Sequence, residues 1–282
     1  MPVTAVNQLP IIKVNAHGSV EALDKLAAEE PLEIRLEFGD EQHREKRNVS
    51  VTMRTPGNDA ELALGFLFTE GIIQHGDEVE TIEHCFIACD ENRQNVIQVT
   101  LKPGAHPNLQ NTERNFYTTS SCGVCGKSSI NAIRTVSRFG LALPDGNSTT
   151  VAVLNSLPSE LSKHQDVFDD TGGLHASALF TNHGDFLLAR EDVGRHNALD
   201  KLIGAVLKNN QLPLTDNILL LSGRASFELV QKAAMAGVTI IAAIGAPSTL
   251  AVQLADEFNI TLVGFLRNGR FNIYAAAHRI IL

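Results

Sequence analysis

Two cysteines, Cys122 and Cys125, stand two residues apart in the stretch Ser120-Ser121-Cys122-Gly123-Val124-Cys125-Gly126-Lys127-Ser128-Ser129. The glycines beside them permit backbone conformations that a β-carbon forbids. Lys127 opens a predicted helix, Lys127 to Arg138, that stops at Gly140. The first-turn amides and dipole of such a helix, with the Lys127 ammonium, favour a thiolate over a thiol, whose ordinary pKa is about 8.5. A thiolate on a glycine-flanked arm suits sulfur relay or thiol-disulfide exchange. A bare C-x-x-C also serves as half of a structural zinc site, which here would have to recruit Cys85 and Cys89. Those two fall in Thr81 to Asp90, which reads as a strand running into a turn. Four residues along a strand span about 13 Å, whereas sulfurs on one tetrahedral zinc lie only about 4 Å apart. Cys85 and Cys89 therefore read as small core residues, and no metal site is expected.

A second group of residues suits anion binding. The second half of the chain alternates regularly: strand Asn217 to Leu221, helix Phe227 to Ala236, strand Val238 to Ile244, helix Thr249 to Phe258, strand Ile260 to Phe265. Strands this apolar, separated by helices of this length, predict a parallel sheet covered on both faces. Ligands of such sheets lie beyond the carboxyl ends of the strands. Those ends carry Ser222-Gly223-Arg224, Gly245-Ala246-Pro247-Ser248 and Leu266-Arg267-Asn268-Gly269-Arg270. Two of these loops run into helix starts with free N–H groups, and three arginines offer bidentate pairing, so the implied ligand is a nucleotide or pyrophosphate. Any one exposed arginine merely solvates a surface; three loops at one sheet edge argue for more.

Two further polar clusters are Thr171-Gly172-Gly173-Leu174-His175 and the run Glu191-Asp192-Val193-Gly194-Arg195-His196-Asn197-Ala198-Leu199-Asp200-Lys201. Asp192 and Asn197 have the chemistry of helix caps. A loop that adds Glu191, Arg195 and His196 is richer than capping requires, so His175, Arg195 and His196 join the candidate site.

The elements that must position these groups follow from periodicity. Leu32 to Phe38 and Val49 to Arg54 read as strands around a polar turn, Gly39 to Asn48. Asp59 is a plausible N-cap for a helix over Ala60 to Glu70, with Leu62, Phe66 and Leu67 inward and Gly71 as its stop. Thr81 to Ala88 and Asn95 to Lys102 form a hairpin, and polar Pro103 to Asn115 is a linker. His175 to Thr181 and Asp185 to Arg190 pair as strands before a helix over Ala198 to Lys208. The expected organisation is a small α/β domain over residues 15–116 and a larger one over 117–282 that carries the cysteine loop and the nucleotide site.

A chain of 282 residues can bury a substantial core. Its formal charge of −9 argues against a bulk nucleic-acid or membrane binder. Met1 to Gly18 has no basic head before an apolar segment, and no run is long enough to span a bilayer, so a cytoplasmic protein is expected. A reducing compartment keeps Cys122 and Cys125 as thiols.

In eight blocks the chain resembles the formate dehydrogenase accessory sulfurtransferases. The blocks are Thr55-Pro56-Gly57 with Glu61 to Leu67, Glu70-Gly71-Ile72-Ile73, the cysteine loop, Thr171 to His175, Glu191 to Lys201, Ser222-Gly223-Arg224, Ala246-Pro247-Ser248 and Gly264 to Arg267. Agreement in so many blocks, in a fixed order, is far more specific than any single motif. The resemblance implies a cytidine-deaminase-like three-layer core with a mixed, partly parallel sheet, and a smaller N-terminal domain. It implies a sulfurtransferase that accepts sulfur from a cysteine desulfurase as a persulfide. The recipient would be the molybdenum of bis(molybdopterin guanine dinucleotide), before that cofactor enters formate dehydrogenase. The family's persulfide cysteine matches Cys122, its cofactor-binding stretch matches Phe265 to Arg270, GDP is the expected mimic of the cofactor, and a homodimer is implied. A thiol-disulfide oxidoreductase, a zinc deaminase and a non-enzymatic guanine-nucleotide-binding chaperone are the rivals. The deaminase lacks its motif, since His175 is followed by Ala176 and Ser177 and the C-x-x-C lies upstream.

Overall fold

The chain opens with a ribbon that periodicity did not disclose. Strands β1 (Val6–Asn15) and β2 (Gly18–Ala27) pair antiparallel in a sheet of their own, closed by a two-residue turn at Ala16 and His17. The computed structural model describes residues 4–85, 94–109 and 147–282; the cysteine loop, Cys89 and the helix expected at Lys127 to Arg138 lie outside them.

Strands β3 (Glu30–Asp40) and β4 (His43–Arg54) then pair over almost their whole length, so the expected turn Gly39 to Asn48 shrinks to Glu41 and Gln42. The polar residues are strand residues because β4 is the edge of its sheet. Lys46 lies 3.2 Å and Arg44 3.8 Å from Glu37 on β3, and charges of this kind are tolerated where a strand faces water. Helix α1 (Asp59–Thr69) starts one residue before the expected position, with Asn58 rather than Asp59 as its N-cap. Asp59 instead forms a two-pronged pair with the fully buried Arg54 at 3.0 Å. Strands β5 (Val79–His84) and β6 (Val96–Leu101) form the expected hairpin, and β6 runs parallel to β3, giving the order β4-β3-β6-β5. Cys85 follows β5 half-buried, its Sγ 3.7 Å from Gln98 Oε1.

Beyond residue 147 come a short strand, β7 (Thr149–Thr150), and two helices that the reading above passed over, α2 (Val151–Ser162) and α3 (Asp166–Thr171). The remaining elements are β8 (His175–Thr181), β9 (Phe186–Asp192), α4 (Arg195–Lys208), β10 (Asn217–Leu221), α5 (Phe227–Met235), β11 (Ile240–Ala243), α6 (Thr249–Glu257), β12 (Thr261–Arg267), β13 (Arg270–Ala275) and β14 (Ile280–Ile281). Six strands form one sheet in the order β13-β12-β11-β10-β8-β9. Only β10, β11 and β12 are mutually parallel; β8, β9 and β13 run antiparallel to their neighbours, so the sheet is mixed.

Alternation along these strands feeds two cores. Ala178, Phe180, Ile218, Leu220, Ile240, Ala242 and Val263 pack with Leu154, Leu157 and Leu161 of α2 on one face. Leu179, Leu219, Leu221, Ile241 and Leu262 pack with α4, α5 and α6 on the other. This second core continues without a break into α1 and the four-stranded sheet, through Leu62, Leu67, Ile34 and Val99. Helices α1 and α4 touch backbone to backbone. A β-carbon on Gly65 would lie 1.9 Å from the Asp200 carbonyl oxygen, and one on Gly204 would lie 1.9 Å from that of Glu61.

Candidate functional site

The register of the six-stranded sheet brings separate loops to one edge. Leu221 at the end of β10 pairs with Ala243 of β11 on one side and with Ser177 of β8 on the other. Because β8 runs the opposite way, its first residue, His175, lies at the carboxyl end of β10, and it pairs with Asp192 at the end of β9. The start of α4, with Arg195 and His196, therefore arrives at the same edge as Ser222-Gly223-Arg224, Gly245 to Ser248 and Phe265 to Arg270.

Glycine lets these loops stack. A β-carbon on Gly245 would meet the Gly223 carbonyl oxygen at 2.9 Å and Arg224 Cα at 3.0 Å, and one on Gly264 would meet Pro247 Cδ at 2.7 Å. Ala225 bridges Pro247, and Gly245 N donates to Gly223 O at 2.9 Å. Phe265 has φ of 55°, a conformation costly for an aromatic residue, and its N–H donates to Gly245 O at 3.0 Å. Three residues on, Asn268 and then Gly269 take left-handed φ values, making a tight hairpin turn between Arg267 and Arg270, which pair across it and are exposed.

Each candidate side chain has a definite environment. His175 is half-buried, and burial first, then the charges of Arg195 and His196, push its pKa down; Asp192 opposes them. His196 Nε2 lies 3.3 Å from Ser226 Oγ and 3.9 Å from Glu228 Oε2. The His196 hydrogen bond, against the cost of burial, holds the Glu228 pKa down to about 2. Arg195 is half-buried and its buried Nε has no hydrogen-bond partner among the described residues. Arg224 is exposed. The two serines serve the fold: Ser222 Oγ accepts from Ala176 N at 2.8 Å, and Ser248 Oγ caps α6 by accepting from Ala251 N at 3.2 Å. Cys122 and Cys125 lie outside the described residues. Among the described residues, no three His, Cys, Asp or Glu side chains gather as a metal site.

The run Glu191 to Lys201 divides by role. Glu191 accepts from the amides of Val167 and Phe168 and so caps α3, while burial pushes its pKa up. Asp192 is fully buried; it pairs with Lys201 at 2.7 Å and accepts from Thr55 N, Gly194 N and Asn197 Nδ2. These side chains anchor α1's approach loop to α4, whereas His196 and the Arg195 guanidinium stand at the open edge. Sequence reading missed Ser226 and Glu228; the spacing Ser-x-Glu at a helix start was the available signal, because it places an acceptor and a carboxylate on one first turn.

Residues 27–281 match the model of the FdhD/NarQ family. The chain belongs to that family. A sulfur carrier protein FdhD from Mycolicibacterium paratuberculosis is 52% identical over 274 residues, covering 96% of this chain and 97% of the relative. One from Sulfolobus acidocaldarius is 41% identical over 277 residues, with 98% and 99% covered. The crystal structure described as a formate dehydrogenase accessory protein from Desulfotalea psychrophila superposes with a TM-score of 0.73 at 24% identity, over 98% of this chain and 100% of the other, and so shares the fold. No helix among the described residues is long and apolar enough to cross a membrane.

Proposed function

We propose that this protein is a cytoplasmic sulfurtransferase that delivers sulfur to the bis(molybdopterin guanine dinucleotide) molybdenum cofactor, which formate dehydrogenase requires. In the loading step the Cys122 thiolate attacks the terminal sulfur of a cysteine desulfurase persulfide; the new S–S bond forms as the old one breaks, and the desulfurase leaves as its own thiolate. The cofactor is the substrate that receives this sulfur at molybdenum. Its guanine nucleotide ends, each with a pyrophosphate, would lie along the edge formed by Arg224, the α5 and α6 starts and Phe265 to Arg270, with Arg195 and His196 beside them.

The observation that supports this reading best is the convergence of four arginines, two imidazoles and two helix starts at one strand edge in a chain whose net charge is −9. Mass spectrometry tests the loading step: after incubation with a cysteine desulfurase and free cysteine, the peptide containing Cys122 should gain one sulfur atom. An unmodified Cys122 beside a modified Cys125 would reassign the carrier, and no modification of either would favour a non-enzymatic chaperone.

The nucleotide half has its own test. Arg267→Ala should weaken GDP binding about ten- to a hundred-fold in calorimetry, the cost of one charge-assisted hydrogen bond to phosphate, while persulfide loading continues. Arg267→Lys should also lose affinity, because an ammonium cannot reproduce the planar fork of donors. Unchanged GDP affinity would move the cofactor site elsewhere.

A further inference from the structure

The starts of α4 and α5 meet at the strand edge, where His196 faces Ser226 and Glu228. Ser226 stands at the N-cap of α5 yet makes no side-chain bond to the helix amides. Its hydroxyl turns instead to the Glu228 carboxylate, which also accepts from its own backbone N–H. The first turn of α5 is thus capped by a carboxylate from within the helix, and the Glu228 side chain stays 17% exposed. The neighbouring carboxylates at this edge are engaged elsewhere: Asp192 is fully buried against Lys201, and Glu191 caps α3.

A fixed anion among these arginines is out of place if the edge holds phosphate alone. Carboxylate and phosphate oxygens both accept hydrogen bonds and their charges repel, so the part of a ligand that meets Glu228 must present donors. A carboxylate offers about four acceptor positions; its own amide and Ser226 take two, and the exposed side leaves the others for a pair of donors. In a nucleotide two groups qualify, the ribose hydroxyls and the base. Position separates them. The strand that leads into α5, β10, is two strands from β12, which leads into the Arg267–Arg270 hairpin, a separation of roughly 10 Å at about 4.8 Å per strand. With the diphosphate on the hairpin arginines, the ribose adjoins the phosphates and the far edge of the base reaches Glu228.

We propose that Glu228 reads the guanine base of the nucleotide end, its carboxylate accepting from guanine N1–H and from the N2 amino group, with Ser226 and His196 fixing its orientation. Guanine is the base this arrangement selects, because its N2 amino donor lies beside N1–H on one edge, whereas adenine has an acceptor nitrogen at N1. Glu228 is ionised throughout the neutral range, as accepting two donors requires. The assignment rests on the nucleotide reading of this edge given above and adds the residue that decides which base is taken.

Calorimetry on the full chain with nucleotides that differ only at the base tests it. The wild type should bind GDP about ten-fold or more tighter than IDP, which lacks the N2 amino group, a difference of one charge-assisted hydrogen bond. Glu228→Gln should lose that preference and bind xanthosine diphosphate about ten-fold or more tighter than the wild type does, because a carboxamide donates to the xanthine O2 that a carboxylate repels. A damaged fold gives no such gain. Arg267→Ala, by contrast, should weaken GDP and IDP alike and keep their ratio. Equal wild-type affinity for GDP and IDP, or a Glu228→Gln protein that gains nothing for xanthosine diphosphate, would overturn the base assignment and leave the nucleotide site standing. A wild type that binds none of the three nucleotides would overturn both.

Discussion

Cys122→Ala is expected to reduce activation of a co-expressed formate dehydrogenase to background, a loss on the order of a thousand-fold or more. Removing the atom that carries a covalent intermediate leaves the transfer with no alternative route, unlike removal of a positioning group. The substitution takes away a single sulfur atom in a glycine-rich stretch, so circular dichroism and the thermal transition should match the wild type. GDP binding, which the proposal assigns to Arg267 and its neighbours at the strand edge, should persist. Cys125→Ala should be milder. Activation at the wild-type level by the Cys122→Ala protein, in cells lacking any other sulfur carrier of this family, would remove the carrier mechanism.

The part of the molecule that presents the arginine-lined strand edge was legible because it is built from strong local signals. Ile218 to Leu221 and Ile240 to Ala243 are unbroken apolar runs bounded by Ser-Gly-Arg and Gly-Ala-Pro-Ser, and runs too short for a buried helix with such flanks read as strands buried on both faces. Where parallel strands end, the loops that follow must lie at one edge, so Arg224, Ser248 and Leu266 to Arg270 followed from topology.

What escaped the sequence was set by partners distant in the chain. The polar residues of β4 looked like a turn because nothing local tells an exposed edge strand from a loop; Glu37 across the ladder does. The ribbon β1–β2 has apolar residues on both faces, so the alternation that marks a half-buried strand is missing. Helix α4 begins at Arg195, three residues before the expected start at Ala198, because Asp192 accepts from Gly194 N and Asn197 Nδ2 and thereby folds its polar first turn. The start of α5 at Phe227 was expected, but the contact of Ser226 and Glu228 with His196, thirty residues back, was not, and no window of periodicity spans that distance.

Lys232→Met is expected to destabilise the protein by about 3–5 kcal/mol, the cost of leaving a buried charge without its partner. Where Gly65 and Gly204 bring α1 onto α4, Asp200 is sealed between the helices; its carboxylate accepts from Thr69 Oγ1 at 2.8 Å and lies 2.9 Å from Lys232 Nζ of α5. Glu70 of α1's C-terminal cap lies 3.2 Å from the same ammonium. Burial alone would push Lys232 down, but attraction to Asp200 and Glu70 prevails and raises its pKa, while burial outweighs the same attraction at Asp200 and pushes that group up. Without the ammonium, Asp200 loses the interaction that opposes burial, so its folded pKa climbs further above that of the unfolded chain. A carboxylate raised in this way takes up a proton on folding, and the variant's deficit should therefore shrink as pH falls from about 8 toward the unfolded pKa of about 4. Adding Asp200→Asn should recover part of the loss at neutral pH, because no unpaired charge then remains inside. Urea unfolding of the wild type, Lys232→Met and the double variant at several pH values measures all three expectations. A loss below about 1 kcal/mol, or a deficit that grows as pH falls, would show that the cluster is solvated and that the glycine contact alone joins α1 to α4.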